Sequence, residues 1–111
     1  MITAGEGKYR VWLKREDVGS SILYILGGGE RSHVGSVVVK EPGKSPSVVT
    51  LEGHFDDVVL TPIAEAACEE FSEVVVVVGG VHIDNATRKE IDLLVSNCKQ
   101  LVKCIVSLRQ A

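Results

Sequence analysis

The stretch Glu73-Val74-Val75-Val76-Val77-Val78-Gly79-Gly80-Val81-His82-Ile83-Asp84-Asn85 decides how this chain folds. Five consecutive valines have neither the period of a helix nor the alternation of a half-solvated strand, so the run reads as a strand buried on both faces. Ahead of it, Val59, Ile63, Ala66, Ala67 and Phe71 recur at helical spacing. Behind it, Ile91, Leu94, Val95, Cys98, Leu101, Val102 and Ile105 make one long stripe, and Thr87-x-x-Glu90 is a capping box at its start. The second half therefore reads as helix, buried strand, long terminal helix. Pro62 leaves two starts open for the first helix: it begins near Phe55 and bends at the proline, or Thr61 caps it and Pro62 is its first residue.

Working back towards the N-terminus, residues 9–14 alternate with period two and stop before Glu16-Asp17-Val18-Gly19, which predicts an edge strand and a turn. Residues 21–26, 34–39 and 47–51 are further strand candidates, separated by Gly27-Gly28-Gly29 and Glu41-Pro42-Gly43-Lys44. The first half reads as a four-stranded antiparallel meander. The fold class is α+β: a single two-layer domain over residues 1–111, with a mixed, mostly antiparallel sheet in the order β-β-β-β-α-β-α and two helices packed on it.

A chain of 111 residues, 45% hydrophobic, with mean hydropathy +0.20, suits one core. Net charge is −3, and the 12 Lys and Arg residues are spread along the chain, which removes the footprint that nucleic-acid binding needs. The first residues carry no secretory pattern, and the valine run is far too short to span a membrane. A cytoplasmic protein is expected. Three cysteines without a Cys-x-x-Cys pair agree with that compartment; Cys98 lies on the apolar stripe as a buried thiol, and Cys68 and Cys104 carry no sign of reactivity.

Strand directions then bring distant segments together. A hairpin reverses the chain and a strand-helix-strand crossover restores it, so the second, fourth and fifth of these strands run the same way. Gly28-Gly29-Glu30-Arg31-Ser32-His33, Gly53-His54-Phe55-Asp56 and Gly79-Gly80-Val81-His82-Ile83-Asp84-Asn85 thus fall at one end of the sheet, with all three histidines of the chain. Both helices start there, offering N–H groups and positive dipole ends to an anion such as phosphate.

The residues expected to bind a ligand are Gly28, Gly29, Glu30, Arg31, His33, Gly53, His54, Asp56, His82, Asp84, Asn85 and Thr87. Arg31 supplies a charge-assisted bond, Glu30, Asp56 and Asp84 accept from hydroxyls or orient an imidazole, and the histidines donate. Taken singly, each has a structural use: the glycines in a hairpin with positive φ, Asp84-Asn85 in a turn, Asp56 as an N-terminal charge. Phe55 stands open between stacking on a ring and a hydrophobic-staple or core role. A metal site is the rival use of His33, His54 and His82 with Asp56 or Asp84, although no metal-ligand spacing is present. No residue is singled out as catalytic, and no phosphate-loop, nucleophile-elbow or zinc-protease motif occurs. Two helices cover little more than one face of such a sheet, so a second copy of the chain is expected over the other.

The phrases Gly28-Gly29-Glu30-Arg31-Ser32-His33-Val34-Gly35, Gly53-His54-Phe55-Asp56-Asp57 and Gly80-Val81-His82-Ile83-Asp84-Asn85-Ala86-Thr87 resemble, in this order, the prenylated-flavin chaperone (LpdD-like) family of the gallate decarboxylase system. That family is also described as similar to proteasome assembly chaperones. The resemblance runs from about Tyr9 to the last helix. It implies a non-enzymatic carrier that binds prenylated FMN, FMN or a related nucleotide such as AMP, and supplies or protects the cofactor of a UbiD-like decarboxylase. The alternatives are a small metal-dependent enzyme and a protein assembly chaperone.

Overall fold

The structure is a computed structural model that describes residues 1–52 and 56–110, the last three of these by backbone alone. Six strands, β1 (Ile2–Ala4), β2 (Val11–Val18), β3 (Ser21–Gly28), β4 (Arg31–Lys40), β5 (Ser47–Thr50) and β6 (Val75–His82), form one sheet in the order β1-β2-β3-β6-β4-β5. Helix α1 (Asp57–Phe71) joins β5 to β6, and α2 (Arg88–Gln110) ends the chain. The α+β reading holds, with every pairing antiparallel except β3 with β6.

Two local expectations are corrected. The first half is not a meander, because β6 lies between β3 and β4: Tyr24 pairs with Val77 on one side of it and Val38 pairs with Val77 on the other. A strand apolar on both faces gains most at the centre of a sheet, where both backbone edges are also satisfied. Nor is β2 an edge strand, since Ile2↔Leu13 and Ala4↔Val11 add β1 beside it. The edges are β1 and β5. The expected directions survive these changes, as β3, β5 and β6 all run the same way.

Helix α1 begins two residues beyond Phe55 and carries Pro62 inside it, so Thr61 is not its cap. It ends at Ser72, whose left-handed φ of 54° lets its N–H reach the Cys68 carbonyl at 2.9 Å. Both helices lie on one face of the sheet, α1 against β4 and β6 and α2 against β1 and β2. Between the layers, Leu60, Ile63 and Ala67 of α1 and Leu94, Cys98, Leu101 and Ile105 of α2 meet Leu13, Ile22, Tyr24, Leu26, Val38, Val75 and Val77.

Leu60 is fully buried, whereas Val58, two residues earlier, is 61% exposed. Leu60→Ala is expected to lower unfolding free energy by about 3 kcal/mol, and Val58→Ala to stay within about 0.5 kcal/mol of the parent; urea titrations of both variants check this contrast.

Candidate functional site

The carboxyl ends of β3 and β6 and the amino end of β4 form the floor of the site, because the Gly28–Gly29 turn passes over the end of β6. Gly29, with φ +75°, bridges to His82; a side chain there would run into the His82 backbone. Its N–H donates to the Arg10 carbonyl at 3.0 Å, and the Glu30 N–H donates to the His82 carbonyl at 2.7 Å. These glycines serve close backbone approach, and what they deliver to the rim are the side chains that follow.

Along β4 the register slips. Ser32 faces Val81 and Ser36 faces Gly79, so four steps on β4 match two on β6. The irregular stretch carries His33, whose Nε2 stands 3.0 Å from Asp56 Oδ2 and whose ring meets that of His82 edge-on at 5.8 Å. Asp56 Oδ1 accepts the Val81 N–H at 3.1 Å. Outside this pair, Asp84 Oδ1 receives Arg31 Nη2 at 2.6 Å and lies 2.9 Å from His82 Nε2, while the Asp84 N–H donates to Glu30 Oε1 at 2.9 Å. The His82 hydrogen bond, and then the Arg31 charge, hold the Asp84 carboxyl below its ordinary range.

Two hollows open beside these groups. The larger is a cleft of about 460 Å³ between β6 and the amino-terminal turns of both helices. His33, Asp56, His82 and Asn85 form its polar end, and Val59, Ile83, Leu94 and Val95 its apolar walls, with Val58 and Ile91 exposed at the lips. The smaller, about 230 Å³, is lined by Arg31, Ser32, His33 and His82. The two histidines are common to both.

Of the residues expected from sequence, the structure gathers Glu30, Arg31, His33, Asp56, His82, Asp84 and Asn85 at one end of the sheet, with Gly28 and Gly29 in the turn beneath them. Gly53 and His54, with Phe55, lie outside the described residues. The Thr87 side chain forms the capping box, accepting the Glu90 N–H at 3.2 Å while Glu90 Oε1 accepts the Thr87 N–H at 3.0 Å. Among the described residues no group of three or more His, Cys, Asp or Glu is placed to hold a metal ion, and no helix is long and apolar enough to cross a membrane.

Sequence reasoning missed the apolar walls, since Val59, Leu94 and Val95 belong to the same helical stripes as the core. It also missed Gly35 and Gly80, which flank Asp56. The Cys98 thiol is pushed up to about 12 by burial and then by the Asp56 charge, so it is a packing group.

A family model described as the prenylated flavin chaperone LpdD-like domain matches residues 5–109. No curated protein matches the chain. Among solved structures, a chain of "Crystal Structure of a Novel Chaperone Complex for Yeast 20S Proteasome Assembly" is similar with a TM-score of 0.56 and 13% identity, covering 95% of each chain. At that identity the likeness is one of fold.

Glu90 ties α2 to the short 3-10 turn Gly7–Tyr9, accepting from Lys8 at 3.0 Å and Tyr9 Oη at 3.1 Å. The Thr87 N–H, and then Lys8, draw its carboxyl down to about 2. A lowered folded value means that charged Glu90 favours the fold above the unfolded value of about 4.3, and that this contribution fades as pH falls towards about 2. Glu90→Gln should lower Tm at pH 6, and its gap from the parent should close in melts run stepwise down to pH 2.

Proposed function

The chain belongs to the family of prenylated flavin chaperone LpdD-like domains, and from that premise we propose that it is a carrier for prenylated FMN or FMN. As a member of a chaperone family it binds and hands on rather than turning over a substrate. The observation that supports the flavin reading best is the pair of hollows joined at His33 and His82. A cleft of about 460 Å³ falls within the range of roughly 300–1,000 Å³ common for small-molecule sites. Its aliphatic walls suit a flat ring system with an added hydrocarbon group, and its His and Asp end suits the polar edge of such a ring.

In this reading the ribityl chain passes His82 and the phosphate lies in the smaller hollow with Arg31 and Ser32. The single Nη2 contact to Asp84 engages only part of a five-donor fork, so Arg31 can hold a phosphate oxygen as well. The residues assigned to the ligand are Glu30, Arg31, His33, Asp56, His82, Asp84 and Asn85, with Gly28 and Gly29 beneath them. Gly53, His54 and Thr87 join on the strength of the sequence phrases. The recipient is a UbiD-like decarboxylase, and the exchange takes place in the cytoplasm, in keeping with three free cysteines.

The face of the sheet turned away from the helices supports a homo-oligomer. Ile25, Val78, Val37 and Val49 stand in one row across four strands, and Leu23, Val76 and Val39 in the next. Lys14 and Glu16, paired at 3.3 Å on β2, end these rows. A second copy laid on this face would remove seven aliphatic side chains from water. Ile25→Lys and Val78→Lys should each give the monomer mass in sedimentation velocity, where the parent gives a multiple of it; a parent that sediments as a monomer ends this part of the reading.

Native mass spectrometry with absorbance spectra, after addition of FMN, prenylated FMN or AMP, tests the carrier reading, which requires a flavin-bound mass and a shifted flavin band. Arg31→Ala should weaken FMN at least about tenfold more than riboflavin, the loss of about one charge-assisted hydrogen bond. Asp84→Asn removes a carboxylate that competes for Arg31 and should strengthen FMN relative to riboflavin. Equal effects on the two ligands in isothermal titrations would remove phosphate from the Arg31 hollow.

A further inference from the structure

Asp56 occupies the N-cap position of α1, yet its side chain caps nothing. Its φ and ψ of −69° and −16° are helical rather than extended, and its main-chain carbonyl accepts the Val59 and Leu60 N–H groups, each at 3.0 Å. An Asp at this place ordinarily accepts an N–H of its own helix. Here the carboxylate turns into the protein, where the residue is 8% exposed and is, with Ser36, one of two buried polar residues among those described.

Room for it comes from two missing side chains on neighbouring strands. A Cβ on Gly80 would lie 2.8 Å from Asp56 Cγ, and one on Gly35 would collide with Oδ2 and stand 2.9 Å from His33 Nε2. Seated between these glycines, the carboxylate takes the Val81 N–H on Oδ1 and meets His33 on Oδ2. A carboxylate accepts rather than donates, so the proton of the second contact belongs to Nε2. The neutral imidazole is thereby the Nε2–H tautomer, in which Nδ1 is an acceptor.

We propose that Asp56, in its glycine seat, is a positioning residue that fixes the ring and the tautomer of His33, so that the polar end of the cleft reads an N–H donor on the edge of the bound ring. Within the flavin reading, on which this identification of the ligand group rests, the donor is the imide N–H of the isoalloxazine. The slipped register between Ser32 and Ser36 belongs to the same device, since it carries the His33 of β4 that meets Asp56 at the N-cap of α1. Asn at position 56 cannot hold the same tautomer with both contacts made: with Oδ1 accepting from Nε2, its NH₂ would face the Val81 N–H, donor against donor, and the reversed amide satisfies both only by donating to an unprotonated Nε2.

The experiment has one arm without ligand and one with it. In the free protein at pH 8, long-range ¹H–¹⁵N spectra of the histidine rings should show His33 in the Nε2–H form, and Asp56→Asn should mix the two tautomers. The parent protein alone decides the first point, so the test does not depend on a variant that folds. A His33 mainly in the Nδ1–H form would overturn the positioning role.

The ligand arm compares FMN with its N3-methyl derivative. The parent should bind FMN at least tenfold more tightly, and Asp56→Asn should reduce that ratio to less than threefold with loss concentrated on FMN. Equal binding of the two ligands by the parent overturns the donor reading, as does a ratio unchanged in Asp56→Asn. If neither flavin binds the parent, the flavin assignment falls with the carrier reading, and the tautomer spectra still decide what Asp56 does.

Discussion

The rest of the molecule follows from one constraint: a strand made of valines must be covered on both faces and paired on both edges. Residues 75–78 of β6 meet the edge requirement by lying between β3 and β4, parallel to one and antiparallel to the other. Val75 and Val77 face the helices, while Val76 and Val78 face the opposite side. This position forces the turn after β3 to reach past the end of β6 before β4 can begin, which is why backbone contacts at Gly29 and His82 are so close. The crowding that results is the candidate site.

Directions were legible in the sequence and neighbours were not. Counting reversals placed the ends of β3, β5 and β6 together, and the gathering of Arg31, His33, Asp56, His82 and Asp84 follows from that count. Apolar alternation, however, records only which side of a strand is buried, and says nothing about which strand lies beside it. The segments 21–26 and 34–39 look like a hairpin because a glycine turn joins them, yet each has β6 as a neighbour. Strand β1 escaped because Ile2-Thr3-Ala4 is too short for a period to show. Period-two alternation over residues 9–14 gave β2 the look of an edge, although the charges of Lys14 and Glu16 mark the border of an apolar face.

Within the site, the polar residues announced themselves through glycine-flanked histidines, whereas the apolar walls were hidden in plain helical stripes. Ile91 belongs to the same stripe as Leu94, but it is 46% exposed because the start of α2 overhangs the cleft. The seat of Asp56 could not be read either. Gly35 and Gly80 are 45 positions apart in sequence, and their shared role exists only once β4 and β6 are paired with a slipped register.

A buried carboxylate is a poor way to stabilise this fold. At the N-cap it forgoes a side-chain cap worth about 1 kcal/mol, and removing the charge from water adds a cost that only good hydrogen bonds offset. The strands on both sides also give up side chains to admit it. Packing alone would favour an outward Asp56 capping α1, with alanine or a larger residue filling the seat. A sequence that instead keeps two glycines and an inward acid sets local stability against the placement of one imidazole. His33, at the junction of the two hollows, is where such a placement has most effect on what the cleft accepts.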